Sequence, residues 1–220
     1  MKIVRLIAFI VLGISTQIVL GQSRQVTNSV SDDVLKRQVP GTDSEYLTTV
    51  DAFSLILNYT GVPGGIVKIA SCKQETMKQP VKMQGLVLRE VLNAIVEADP
   101  RYHWQYENGV VNLLPTEGEP TLLKTPITQF DVNDVASAEF AADKLLALPE
   151  IQKKMQELHL SHGLKLLVTP SNPKPSTFSV HCKNASLREA LNAIARAQGR
   201  AIWDYVEIHC DQRNEVVIRF

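Results

Sequence analysis

A stretch near the carboxyl end of the chain repeats a stretch that lies 99 positions earlier. Residues 180–205 read VHCKNASLREALNAIARAQGRAIWDY, and residues 81–106 read VKMQGLVLREVLNAIVEADPRYHWQY. The two align without a gap, and the shared letters include Leu-Arg-Glu, Leu-Asn-Ala-Ile and a spaced Trp and Tyr. So many identities at one offset indicate an internal duplication, which predicts two similar folding units in tandem.

Each copy predicts a strand, a helix and a hairpin. In the first copy, apolar residues at three- and four-residue spacing predict a helix over 86–98, which Pro100 terminates because proline cannot continue the hydrogen-bond ladder. Asn108-Gly109 between two apolar runs predicts a tight hairpin turn. In the second copy Ser186 and Glu189 have the spacing of a capping box. The residues predicted to form the repeated core are Leu88, Leu92, Ile95 and Trp104 in the first copy and Leu187, Leu191, Ile194 and Trp203 in the second.

The similarity extends to a strand that precedes each of these stretches. Residues 65–71 (GIVKIAS) resemble residues 163–169 (GLKLLVT) at an offset of 98. A further helix is predicted to begin near Ser44, and two helices follow the linker on either side of Pro149. We therefore expect an α+β fold of two tandem small modules, each with a three- to four-stranded sheet and two helices packed on one face. The predicted modules are residues 44–114 and 127–220, joined by a proline-rich linker over 115–126.

The amino-terminal end has the pattern of a secretory signal. Lys2 and Arg5 precede an apolar run over residues 6–20, and small residues follow it. This predicts a signal peptide over 1–21, cleaved after Gly21; the alternative is an uncleaved membrane anchor. Residues 22–43 are polar and are predicted to form a flexible lead-in. No later apolar run is long enough to span a bilayer, so we expect a periplasmic or secreted protein without a membrane span after cleavage.

Composition argues against nucleic acid as a partner. The chain has 23 Lys and Arg against 23 Asp and Glu, and removal of the signal would leave a net charge near −2. Aromatic residues make up 6% of the chain, which is few for a protein that stacks single-stranded bases. Neither the charge nor the aromatic content predicts binding to nucleic acid or to anionic lipid.

Three cysteines allow one disulfide bond in an oxidising compartment. Cys182 and Cys210 both fall in the second copy, on strands expected to be neighbours, and are our candidate pair. Cys72 would then be free, buried or intermolecular. The adjacent His-Cys pairs at 181–182 and 209–210 also suggest a zinc site as an alternative, since His and Cys are zinc ligands. Neighbouring residues on a strand point to opposite faces, so we predict no metal site and no cofactor.

The phrase SLREALNAI, followed by a strand with Trp-x-Tyr and a terminal VVI, resembles the secretin and TonB N-terminal short domain. It is also similar to the C-terminal module of anti-sigma regulators of the iron-transport type. The resemblance covers residues 180–220 best and 81–114 second. It implies an envelope module that docks onto another protein and has no catalytic residues. Members are normally fused to a barrel, a ring or a membrane regulator, so we expect the partner here to be a separate envelope protein or another copy of this chain.

These patterns predict an exported, non-catalytic adaptor or scaffold. The expected contact surfaces are open sheet edges, and the last strand, residues 215–220, is one candidate although it can also be interior. The alternative is a small secreted enzyme or ligand-binding protein with a site between the modules. A deep polar pocket lined by His181, His209 or Cys72 would favour that alternative.

Overall fold

The computed structural model describes residues 33–40, 43–71, 79–82, 85–163, 177–210 and 213–220. The predicted signal peptide, its cleavage site and Cys72 lie outside these ranges. The strands are β1 (Asp43–Leu47), β2 (Gly64–Ser71), β3 (Gln79–Lys82), β4 (Tyr102–Glu107), β5 (Val110–Pro115), β6 (Pro126–Val135), β7 (Ser161–His162), β8 (Phe178–Ser186), β9 (Ile202–Cys210) and β10 (Arg213–Arg219). The helices are α1 (Thr49–Thr60), α2 (Leu88–Ala98), α3 (Ala138–Leu146), α4 (Pro149–Glu157) and α5 (Leu187–Gln198), with a 3₁₀ turn at Thr121–Lys124.

The strands form one large sheet and two small ones, which confirms the α+β class. The large sheet has six strands in the order β4-β5-β2-β9-β10-β7. The small sheets are the pairs β1–β3 and β6–β8. Within the large sheet, β4-β5-β2 comes from the first repeat and β9-β10-β7 from the second. Each trio is an antiparallel hairpin followed by a parallel strand, so the duplication in the sequence is also a duplication of strand order.

The two trios are joined edge to edge, instead of forming the separate sheets expected for two modules. β2 and β9 pair in parallel over eight residues, from Gly64 opposite Ile202 to Ser71 opposite His209. The first four residues of β2 are buried, as expected for a strand with neighbours on both sides. The backbone of β2 therefore belongs to both repeats.

The apolar core follows the same division into two linked parts. One cluster lies under α1 and α2 and contains Phe53, Ile56 and the fully buried Leu88, Leu92 and Ile95. The other lies under the second repeat and contains the fully buried Leu187, Leu191, Ile194 and Trp203, but it also takes Val67 from β2. Leu122 and Leu123, from the predicted linker, are fully buried in this second cluster, so the 3₁₀ turn is part of the core.

Local capping explains where the helices begin. α1 starts at Thr49 and not near Ser44, because the Thr48 side chain accepts a hydrogen bond from the amide of Asp51 at 3.1 Å. Ser44 lies in β1. α5 has the predicted capping box, with Glu189 N donating to Ser186 Oγ at 3.2 Å and Ser186 N donating to Glu189 Oε2 at 2.6 Å.

The start of α2 keeps only half of that arrangement. Glu90 Oε2 accepts from the amide of Val87 at 3.0 Å, but the valine side chain has no acceptor to return the bond. Further along, Pro149 occupies the first turn of α4, where its missing N–H costs no hydrogen bond.

Part of the predicted flexible lead-in is packed against the first repeat. Leu35 and Val39 are buried in the first core cluster. The backbone is held at two points, with Val39 N donating to Leu86 O at 3.0 Å and Leu88 N donating to Arg37 O at 2.9 Å. Residues 33–40 are thus an integral part of this fold. In the described part of the chain, no helix has the length and apolar character needed to cross a bilayer.

Candidate interaction surface

Where the repeats meet, two aromatic residues of β9 are completely covered. Trp203 and Tyr205 are both 0% exposed, and they lie opposite Gly65 and Val67 of β2. A β-carbon at Gly65 would be 2.2 Å from Cζ2 of Trp203, a distance that no real contact reaches. Glycine at this position therefore lets the indole lie against the backbone of β2.

The corresponding residues of the first repeat lie at the outer end of the sheet. Trp104 and Tyr106 are on β4, which pairs with β5 and is the terminal strand of the sheet among the described residues. Both side chains are only half-buried. The sequence placed Trp104 in the core together with Trp203; Trp104 packs against the first core cluster but is only half-buried, since β2 lies beside β9 and not beside β4. The outer edge thus presents a partly exposed aromatic surface whose equivalent inside the molecule is buried.

Polar contacts from α5 hold the repeats together beside the strand pairing. Arg188, 14% exposed, lies 2.7 Å from Glu107 at the end of β4 and 2.7 Å from Glu119 in the linker. Burial disfavours the charge of Arg188, but its contacts with the two glutamates outweigh this and raise its pKa. Arg196, two turns further along α5, donates to Asn108 O at 2.8 Å. Arg188 and Arg196 of the second repeat therefore bind the β4–β5 turn of the first repeat.

The opposite end of the sheet has a groove. β7 pairs in parallel with β10 and is the last strand of the sheet order. A groove of about 420 Å³ runs beside it, lined by Asp143, Leu146, Ala147, Gln152, His162, Gly163, Val216 and Ile218. β10 lies between β9 and β7 at Glu215 and Val216, the two residues that pair with β7, so this part of the last strand, residues 215–220, is interior and is not the open edge that we considered possible. The described sheet therefore ends at β4 and at β7.

The predicted Cys182–Cys210 disulfide is wrong. Cys182 carries a free thiol, whereas Cys210 is disulfide-bonded. Cys182 is on β8, whose partner is β6, and Cys210 is on β9 in the large sheet, so the two cysteines are not on neighbouring strands. Burial raises the pKa of the Cys182 thiol, which lowers its reactivity.

The two His-Cys pairs do not form a metal site in the described residues. His181 is 61% exposed and contacts Asp131 at 2.8 Å in the small β6–β8 sheet. His209 contacts Glu207 at 2.8 Å in the large sheet. Throughout the described ranges there is no group of three or more His, Cys, Asp or Glu placed to hold a metal ion.

A depression of about 400 Å³ lies where the first repeat meets β9, and His209 is one of its lining residues. Its other lining residues are Ile69, Ala70, Ser71, Arg101, Tyr102, Pro115 and Glu117. Glu207 contacts His209 and also accepts a hydrogen bond from the hydroxyl of Tyr205. These three side chains connect the depression to the buried Tyr205. Burial is the main cause of the strongly raised pKa of Tyr205, so this hydroxyl is a donor and not a base at neutral pH. His181 is not among the lining residues.

Sequence reasoning did not find either end of the sheet. The sequence carried one related signal. Gly65, against which Trp203 packs, aligns with Gly163 of the second copy. No family model, curated protein or solved structure matches the chain.

Proposed function

We propose that this protein is an exported, non-catalytic adaptor or scaffold of the cell envelope, which acts by protein–protein contact through its two tandem repeats. The resemblance of SLREALNAI and its flanking strands to the secretin and TonB N-terminal short domain supports this proposal. The signal-like amino terminus supports export.

The observation that carries the proposal is the difference in burial between two equivalent pairs of residues. Trp203 and Tyr205 are fully buried beneath a strand, whereas Trp104 and Tyr106 are half-buried on a terminal strand. A sheet edge with partly exposed aromatic side chains can accept a strand from a partner, because backbone pairing supplies affinity and the aromatic residues add buried apolar area.

A photoreactive amino acid placed at the proposed edge tests this function. It replaces Tyr106 on β4 and, as the control, Tyr59, which is 50% exposed at the end of α1. Irradiation of the cells that produce the protein, followed by mass spectrometry, is expected to join position 106 to one defined protein. Position 59 is expected to give no such product.

Two outcomes would count against the adaptor function. One is equal crosslinking at positions 59 and 106, which would indicate random collision. The other is no product at position 106 when the protein is folded and exported. A defined product at position 106 would support the adaptor function whether the captured protein is a different chain or a second copy of this one.

The alternative, a small-ligand protein with a site between the repeats, has one observation in its favour. The depression beside His209 lies where the first repeat meets the second, and the Tyr205–Glu207–His209 chain ends in it. If a ligand binds there, His209→Ala should abolish the chemical-shift changes that a library of small polar compounds produces, and His181→Ala should not. A screen without such changes removes the support for this alternative.

A further inference from the structure

We propose that the end of the large sheet at which α1 and α5 finish binds an acidic segment of the partner protein. The segment would be held by Arg37, Arg196 and Arg200, and we call the surface that these three residues form the arginine end. This rests on the proposed adaptor function and names the chemistry of its partner, a short run of Asp and Glu residues.

Two of the arginines meet at the carboxyl end of α1. Arg37 Nη1 donates a hydrogen bond of 2.9 Å to the carbonyl oxygen of Thr60, the last residue of α1. The next residue is Gly61, and a β-carbon there would lie 3.5 Å from Nε of Arg200. The guanidinium groups of Arg37 and Arg200 therefore lie beside consecutive residues of the chain.

The third arginine reaches the same end of the sheet from α5. Arg196 precedes Arg200 by four residues, and its Nη1 donates to the carbonyl oxygen of Asn108 in the β4–β5 turn at 2.8 Å. The strand that leaves this turn contacts the chain just after α1, since Val111 N donates to Pro63 O at 3.0 Å. The β4–β5 turn and the end of α1 are thus neighbours, and each carries an arginine of the second repeat.

The positive charges of these three exposed arginines are not paired with carboxylates. Among the residues that the structure describes, none of the three has a carboxylate within ion-pair distance. Glu107, the acid of the adjacent turn, is bound by Arg188. The carboxyl ends of α1 and α5 supply a negative charge of about half a unit each, which offsets only about one of the three positive charges.

The internal duplication shows that this charge is specific to the second repeat. Arg101, the equivalent of Arg200, is neutralised by Asp99 at 2.7 Å. At the position of Asp99 the second repeat has Gln198, so Arg200 lacks the corresponding acid. The two helix ends differ at three positions 99 residues apart: 97, 99 and 101 read Glu, Asp and Arg, a formal charge of −1, whereas 196, 198 and 200 read Arg, Gln and Arg, a formal charge of +2.

A short acidic segment of a protein fits this surface better than a long polyanion. The mature chain would have a net charge near −2, so its remaining surface does not attract nucleic acid or a membrane of anionic lipid. A cluster of guanidinium groups presents paired N–H donors that match the two oxygens of a carboxylate.

The arginine end is continuous with the proposed contact edge at β4. Burial raises the pKa of Tyr106 on β4, and the nearby charge of Arg37 opposes this effect. A partner segment that contacts Tyr106 can therefore also reach the arginines. The β4 edge would supply backbone pairing, and the arginine end would select for acidic residues in the partner.

Fluorescence polarisation of a labelled peptide measures binding to the arginine end. The probe is a peptide of alternating Glu and Gly, and its neutral counterpart alternates Gln and Gly. We expect the purified full chain to bind the acidic peptide and not the neutral one. The affinity for the acidic peptide should fall as sodium chloride is added, because salt screens the attraction between exposed charges.

Matched variants locate the binding. Arg200→Gln should weaken binding of the acidic peptide by about fivefold. Arg101→Gln is the control and should leave binding unchanged, since it removes the same charge at the equivalent position, where Asp99 already neutralises it. Gln198→Asp should weaken binding as much as Arg200→Gln, because it gives Arg200 the acidic neighbour that Arg101 has. Circular dichroism checks that each variant is folded.

Three results would overturn the proposal. The first is an acidic peptide that does not bind at about 1 mM. The second is equal weakening by Arg101→Gln and Arg200→Gln. The third comes from a second probe, vesicles of phosphatidylglycerol: if the chain sediments with them, Arg200→Gln abolishes this, and the acidic peptide does not bind, the arginine end is a membrane contact.

Failure of the peptide test can be told apart from failure of the adaptor function. If position 106 still captures one defined protein, the adaptor function stands and only the acidic character of the partner is lost. If the peptide binds as expected but position 106 captures nothing, the arginine end keeps its ligand chemistry and the contact at β4 is removed. Position 59 remains the crosslinking control, because helical side chains lean toward the amino end of their helix, and the arginines lie at the carboxyl end of α1.

Discussion

Trp203 Nε1 donates a hydrogen bond of 2.9 Å to Asn192 Oδ1, and both residues are buried. Ninety-nine positions earlier, Trp104 Nε1 donates to Asn93 Oδ1 at the same 2.9 Å, but Trp104 is half-buried. One bond therefore ties the helix to the first hairpin strand in each repeat. The two bonds differ in solvent access, since Trp203 is fully buried and Trp104 is half-buried.

This pair gives a matched test of buried hydrogen bonding. Asn192→Ala is expected to lower the free energy of unfolding by about 2–3 kcal/mol, because it leaves the indole N–H of Trp203 buried without an acceptor. Asn93→Ala should cost about 0.5–1 kcal/mol, since water can reach the indole of Trp104. Urea unfolding followed by tryptophan fluorescence measures both, and equal losses would contradict the assigned difference in burial.

The ion pairs that Arg188 makes with Glu107 and Glu119 are expected to stabilise the contact between the two repeats. Arg188→Met should lower the unfolding free energy by about 2–3 kcal/mol, because Glu119, 18% exposed, loses its counter-charge. Glu107→Gln should cost about 0.5 kcal/mol, since Glu107 is 46% exposed. The double variant Arg188→Met with Glu119→Leu should recover much of the loss. If Arg188→Met costs no more than Glu107→Gln, the contact contributes little to the junction.

Asp99 predicts a contribution to stability at acidic pH. Its carboxylate accepts from Thr49 Oγ1 at 2.8 Å and from Arg101 at 2.7 Å to each oxygen, and the Arg101 bond is the main cause of its lowered pKa. A lowered pKa stabilises the fold above the unfolded value of about 4, and this contribution is lost as pH falls through the folded value.

The measurement for Asp99 compares the melting temperatures of the wild type and Asp99→Asn from pH 7 to pH 2. At pH 7 the variant should be less stable by about 1–2 kcal/mol. Below pH 4 the gap between the two should narrow as the wild-type carboxylate becomes protonated. A gap that stays constant over the whole range would show that the charge of Asp99 does not matter.

The cysteines predict a specific pattern of chemical reactivity. Cys210 is disulfide-bonded and Cys182 is free, so peptide mapping without reduction should recover the Cys210 peptide in a disulfide-linked form and the Cys182 peptide with a free thiol. Cys210→Ser should lower the free energy of unfolding by about 2–4 kcal/mol. Cys182→Ser is the control and should change it by less than about 1 kcal/mol, since a free thiol of this kind contributes only packing. A peptide joining Cys210 to Cys182 would contradict this assignment.

Several elements were predictable because they depend on neighbouring residues. The Asn108-Gly109 turn has both residues at positive φ, 49° and 88°, as its hairpin requires. The box at Ser186 and the start of α4 at Pro149 are also local. The start of α1 was misplaced because Thr48, not Ser44, supplies the capping oxygen. Both residues are plausible caps, and only the path of β1 decides between them.

The duplication, the α+β class and the apolar faces of α2 and α5 could be read from the sequence, because repeated residues at one offset and apolar residues at helical spacing are both visible in the order of the amino acids. Long-range packing was needed to show that β2 and β9 join the repeats into one sheet and that the beginning of β10 lies between β9 and β7. Strand pairing uses backbone groups that every residue carries, so it leaves little trace in the sequence. The contrast between the buried Trp203 and the half-buried Trp104 accompanies that pairing, since β2 lies beside β9 whereas β4 ends the described sheet.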